Sequence, residues 1–230
     1  MDRAGPTHSA EGLLIMIVAS SAAGVCRLSA VLAGLALVLV ATAHASPAWA
    51  ENASLYEQQD TNGPQGKVYA GAVTWSVEKE PPAAHAKPSL AVRGDIVIPE
   101  RHMAVSWVLH RNTDRSLPAT HTIDVMFKLP PDFPGRGIAN VAGITLKPNP
   151  NDQARGTPLA GLVAKVVDGY FLFGLSALAG DARLNADLLR DGRALEILMI
   201  YGTGTRAILT FEKGASGDQA FKEALANWGK

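Results

Sequence analysis

The sequence predicts a mainly β protein, an antiparallel β-sandwich or partly open barrel with two short helices. Three observations carry this reading. Apolar and polar residues alternate with period two over residues 69–78, 90–98, 103–110 and 122–129, the pattern of strands buried on one face. Turn signals punctuate these runs, among them Pro99-Glu100-Arg101, Asp168-Gly169 and Gly202-Thr203-Gly204. Helical spacing is confined to residues 181–190 and the C-terminal stretch.

Composition narrows the class. The 230 residues are 47% apolar and 18% charged, enough for one domain with its own core and too apolar for disorder. Its 21 basic and 21 acidic side chains cancel, which excludes a general polyanion binder and leaves no nucleic-acid partner. Cys26 is the single cysteine, so no intrachain disulfide and no Cys-based zinc site can form.

In chain order, Arg27 precedes an uncharged run over residues 28–43, and the small-x-small site Ala48-Trp49-Ala50 follows. This is the order of a secretory signal peptide cleaved after Ala50. The part ahead of Arg27 exceeds the usual total of about 15–30 residues, and translation from Met16 or later would restore it. An uncleaved membrane anchor is the alternative, although the run is shorter than the roughly 20 residues that span a bilayer. The mature chain is therefore expected in the periplasm or secreted, with no stable membrane insertion after cleavage. Residues 51–66 are polar and contain Asn62-Gly63-Pro64, which reads as a flexible leader to a single β-rich domain over residues 67–230.

Within that domain Tyr69, Gly71, Val73, Trp75 and Val77 share the inward face of the first strand. Pro81-Pro82 and Pro88 then mark a connection. Leu90, Val92, Ile96 and Ile98 face inward next, followed by Met103, Val105, Trp107 and Leu109, then Ile123, Val125, Phe127 and Leu129. Consecutive half-buried strands of this kind make an antiparallel meander. Residues 162–167 and 170–175 flank Asp168-Gly169 as a hairpin. A short helix over 181–190 and strands over 195–201 and 207–211 come after it. Ser216 with Gln219 fits a capping box, and Phe221, Leu225 and Trp228 form the stripe of a terminal helix.

Residues 130–160 break the pattern. Six prolines and four glycines leave one expected strand, over 142–146. Long irregular segments in compact domains are often binding loops, and Phe133, Arg136, Asn140, Asn149, Asn151 and Arg155 are its candidate contact residues.

Catalytic signals are weak. Ser106, His110 and Asp124 lie on outer faces of neighbouring strands, but Ser106 and His110 are four residues apart, about 13 Å along one strand. A nucleophile and its base need about 3 Å. His110 and Asp124 stay as a possible acid–base pair without a nucleophile. His102 and His110 are about 26 Å apart and cannot share a metal, and His121 reads as a structural histidine, so no metal and no cofactor are expected. Gly202-Thr203-Gly204-Thr205-Arg206-Ala207 matches the dinucleotide fingerprint in letters only, because a strand and not a helix follows it.

Leu55-Tyr56, Ile98-Pro99-Glu100-Arg101, Arg111-Asn112-Thr113-Asp114, Leu129-Pro130-Pro131-Asp132-Phe133-Pro134 and Phe173-Gly174-Leu175-Ser176 resemble a family of exported bacterial domains without established activity. More distantly, the final part is similar to the invasion-associated locus B family of periplasmic proteins, through its hairpin, short leucine helix, two strands around a glycine turn and Ala220-Phe221-Lys222-Glu223-Ala224 ending. These resemblances imply export and a β-rich fold. They supply no catalytic residue.

The expected function is a non-catalytic envelope module that binds a protein or cell-wall component through residues 130–160. Two alternatives stand beside it: a hydrolase using His110 and Asp124, and a carrier of a small apolar ligand inside a barrel.

Overall fold

A computed structural model describes residues 50–58, 66–81, 88–151 and 154–229. Apart from Ala50, the expected signal segment lies outside them. Eleven strands form one antiparallel sheet: β1 (Glu51–Glu57), β2 (Lys67–Lys79), β3 (Leu90–Ile98), β4 (Met103–Arg111), β5 (Ala119–Lys128), β6 (Ile138–Lys147), β7 (Thr157–Pro158), β8 (Gly161–Val167), β9 (Tyr170–Ser176), β10 (Ala194–Tyr201) and β11 (Arg206–Glu212). Two helices, α1 (Ala179–Asp191) and α2 (Gly214–Trp228), complete the fold.

The strand order is β7-β6-β10-β11-β1-β2-β3-β4-β5-β9-β8. β7 and β8 are thus opposite edges, yet only Leu159 and Ala160 separate them in the chain. A flat sheet of this width would hold its edges about 48 Å apart at roughly 4.8 Å per strand, while a two-residue link reaches about 10 Å. The sheet must curl. At the seam the Leu159 N–H donates to the Ile144 carbonyl of β6 (2.9 Å), and the Ala160 carbonyl accepts from the Ser176 N–H of β9 (2.9 Å). Asn185 of α1, 2% exposed, clamps the same residue. Its amide donates to the Ala160 carbonyl and its oxygen accepts the Ala160 N–H, both at 2.8 Å. Past Ala160 the chain pairs with β9 alone. The result is a curled half-barrel, the barrel form of the expectation and not the sandwich.

The concave face holds the core. Trp75 of β2, Trp107 of β4 and Phe211 of β11 point into it, and α2 lays Phe221 against both tryptophans with ring centroids 5.4 and 5.8 Å away. These rings pack against one another on the concave face, where the alternative of an apolar-ligand carrier would place its ligand. A close α2 approach also explains Gly214, which has φ 53°. A Cβ there would sit 1.9 Å from the Glu51 carboxyl carbon. That carboxylate accepts the Ser216 N–H (3.2 Å) and hydroxyl (2.9 Å) at the helix start, where a negative charge meets unpaired amides. The expected Ser216–Gln219 capping box is thereby replaced by a cap from β1.

Three further expectations are corrected. Residues 51–57 are not a flexible leader but the strand β1, placed between β11 and β2 with Ala53 and Leu55 buried. Its inward face has only these two apolar residues, too few to outweigh the polar ones around them in sequence. Residues 138–147 form a ten-residue strand paired along β10, so the middle of the supposed binding loop belongs to the sheet. Phe133 is no exposed contact residue: it is buried, edge-on to Tyr201 at 5.1 Å. Arg101 lies over the Phe133 and Tyr69 rings, 5.1 Å from each centroid, and pairs with Glu57 at 2.9 Å. An apolar ring serves better as the lid of that guanidinium than as a solvent-facing contact.

Candidate functional site

Two groups of residues stand out on the convex face. The first is the expected acid–base pair. Register places Val108 opposite Asp124 and His110 opposite Thr122, so His110 reaches Asp124 diagonally, with Nε2 to Oδ2 at 2.9 Å. The Nδ1 atom meets the Glu80 carboxylate, which crosses over buried Ala91 from the end of β2. Tyr170 of β9 donates its hydroxyl to Asp124 Oδ1 at 2.8 Å. One line of polar side chains therefore ties four strands together.

The electrostatics follow from this geometry. The hydrogen bond to Asp124, with help from Glu80, holds the His110 pKa above its ordinary value despite burial. Burial pushes Asp124 upward, but hydrogen bonds from His110 and Tyr170 outweigh it and hold the carboxyl below its usual range. The bond to Asp124 pushes the Tyr170 hydroxyl up to about 12. An imidazole with both nitrogens on carboxylates is an imidazolium with no lone pair to take a proton from a nucleophile. The Ser89 hydroxyl lines the same shallow cleft, buried and without a hydrogen-bond partner among the described residues, but Glu80 occupies the His110 nitrogen it would need. Sequence reasoning missed Glu80 and Tyr170 because each lies outside the hairpin that holds the pair.

The second group is a cleft of about 700 Å³ over β6, β10, β11 and β1. Its floor comes from residues that neighbour each other by register: Leu198 beside Ile208, Ile208 beside Tyr56, and Ile200 beside Arg206. Residues 154–156 pass over β6 as an arm and form one wall. Glu196, 8% exposed, fixes the arm. It accepts from the Thr145 hydroxyl (2.8 Å) and the Gly156 N–H (3.4 Å), and pairs with Lys147 at 3.3 Å. Gly156 is needed there, since a Cβ would lie 2.7 Å from the Thr145 hydroxyl and 2.8 Å from the Leu146 carbonyl.

Of the expected loop residues, only Arg155 borders this cleft. Arg136 lines a smaller one of about 430 Å³ at the open part of the seam, with Ile138 and Lys165. Asn140 is exposed on β6, and Asn149 is exposed with its oxygen accepting the Asn151 N–H at 3.1 Å. The structure does not bring these asparagines together with Arg155. A signal for the cleft does exist in the sequence. Residues 194–201 are apolar on both faces apart from Glu196, whereas the outer positions of β3, β4 and β5 carry Arg93, Asp95, Ser106, His110 and Asp124. A strand that is apolar on both sides is covered on both sides.

A third depression, also about 700 Å³, lies near Val97 and Ala104 and reaches Ala50 at the limit of the described residues. Among the described residues no group of three or more His, Cys, Asp or Glu side chains is placed to hold a metal, and no helix is long and apolar enough to cross a membrane. No family model, no curated protein and no solved structure matches the chain.

Proposed function

We propose that the protein is an exported, non-catalytic binding module of the cell envelope, and that it binds through the convex-face cleft beneath residues 154–156. The observation that carries this reading is the apolar floor. Leu198, Ile200 and Ile208 point outward and stay only half buried, in a concavity whose volume falls within the roughly 300–1,000 Å³ usual for ligand sites. On a water-facing sheet surface such residues gain nothing unless something covers them. Export is the part of the reading that rests on the sequence order around residues 27–50. The hydrolase alternative is disfavoured, because both nitrogens of His110 are taken by carboxylates.

In-cell photo-crosslinking tests the proposal. A photoreactive residue in place of Leu198 should give a discrete covalent adduct, and one in place of Ser106 on the polar part of the same face should give none. Equal labelling from the two positions, or no adduct at Leu198, Ile200 and Ile208 in folded variants, would overturn it.

A further inference from the structure

The charged groups around the cleft do not balance. Four line it: Lys147, Arg155, Glu196 and Arg206. Lys147 and Glu196 neutralise each other at 3.3 Å. Glu196 is also saturated by Thr145 and Gly156, so it has no charge to spare for the arginines. Arg155 and Arg206 are exposed, and among the described residues no carboxylate pairs with either. Among the described residues, two guanidinium groups without a carboxylate partner therefore line one apolar trough, in a chain whose total charge is zero.

Position adds to the charge argument. Arg206 opposes Ile200 on β10, and two residues further along the same outer face Ile208 lies between Leu198 and Tyr56. The floor is thus an apolar row with a guanidinium at its end. Gly143, the β6 neighbour of Leu198, has open space where a Cβ would stand, which deepens the row toward the arm. Arg155 lies on the arm above it.

From this pairing of an apolar row with uncompensated arginines we infer that the cleft takes a single-chain amphiphile with one anionic headgroup. The apolar chain lies along Ile200, Leu198, Ile208 and Tyr56, and the headgroup meets the guanidinium groups, whose planar forks match carboxylate and phosphate oxygens. A free amphiphile suits the concave, walled shape, whereas a bilayer surface would need apolar side chains that protrude. This inference rests on the reading of the cleft as the binding surface and adds the chemistry of the ligand.

Isothermal titration of the purified protein with dodecanoate, dodecyl maltoside and dodecylamine, each below its micelle concentration, tests the assignment. Dodecanoate should bind with a stoichiometry of one, and the neutral and cationic probes about tenfold more weakly or not at all. The double variant R155Q/R206Q should lose about tenfold for dodecanoate and leave the neutral probe unchanged. Melting of this variant should match the parent, since both side chains are exposed. Equal affinity for the three probes, an unaltered double variant, or binding only to anionic phospholipid vesicles would overturn the ligand class. If dodecanoate fails while the Leu198 adduct forms, the ligand class falls and the binding surface stands. If both fail, so does the binding reading itself.

Discussion

Two histidines sit in opposite surroundings on neighbouring strands. His110 on the convex face is bonded to Asp124 and Glu80, while His121 on the concave side lies with its ring 4.8 Å from that of Trp228. Burial, helped by the positive charge of Arg111, lowers His121 to about 4. The unfolded chain then binds more protons than the folded one between about pH 4 and 6.5, so His121 makes stability rise with pH across that window. His110 acts with the other sign. Its folded pKa is raised, so its contribution is complete below about 6.5 and is lost as pH climbs through the raised value. Imidazole NMR shifts should give one midpoint above 6.5 and one near 4, and His110→Gln should abolish the decline on the alkaline side. A His110 midpoint at or below 6.5 would contradict the bridged geometry. The inward face of His121 was legible from alternation alone, because period two fixes the face a residue takes. Asp124 was legible as a companion of His110, but Glu80 on His110 and Tyr170 on Asp124 were not, because they come from segments that alternation cannot order.

Among the elements, the link between β7 and β8 is the most sensitive point. Asn185 satisfies both backbone groups of Ala160 from a helix that makes no sheet hydrogen bonds of its own. Asn185→Ala would leave the part-buried Ala160 N–H without its acceptor, while the Ala160 carbonyl keeps the bond from Ser176, at about 1–3 kcal/mol of destabilisation. A matching fall in the chemical denaturation midpoint, with faster amide exchange at Leu159 and Ser176, is the expected result. Exchange unchanged at those amides would mean that the seam is held elsewhere. Hairpins are the part of this architecture that the sequence displays. Asp168-Gly169 turns between β8 and β9 with Gly169 at φ 77°, and the Gly202–Gly204 turn joins β10 to β11, each as its residues require. β6 is another matter. Its prolines lie just outside the strand, at positions 134 and 148, and composition over a window blurs a strand that sits between them.

For the molecule as a whole, the decisive pairings join distant parts of the chain: β1 with β11, β6 with β10, and β5 with β9. No local turn announces them, which is why the meander from β2 to β5 and the barrel class could be read while the order of the remaining strands could not. The cleft inherits this difficulty, since its lining takes residues from β6, β10, β11 and β1, which these long-range pairings make neighbours. A chain trimmed to begin at Gly66, as a flexible leader would permit, should therefore lose more than a tail. It removes Leu55 from the core and leaves β2 and β11 without their shared neighbour. Loss of near-UV circular dichroism and of a cooperative thermal transition is expected, and a trimmed chain that melts like the parent would refute the central role of β1.

The place of β1 has a temporal side as well. Among the described residues β1 comes first in the chain, and it is flanked by β2, which follows at once, and by β11, the last of the described strands. Until residues beyond 205 emerge, one edge of β1 has no partner and the surface that receives α2 is incomplete. Backbone pairing of such long sequence separation is slow to form. The fold thus carries its own delay: however early β1 is made, it settles into the sheet only once β11 is there to flank it.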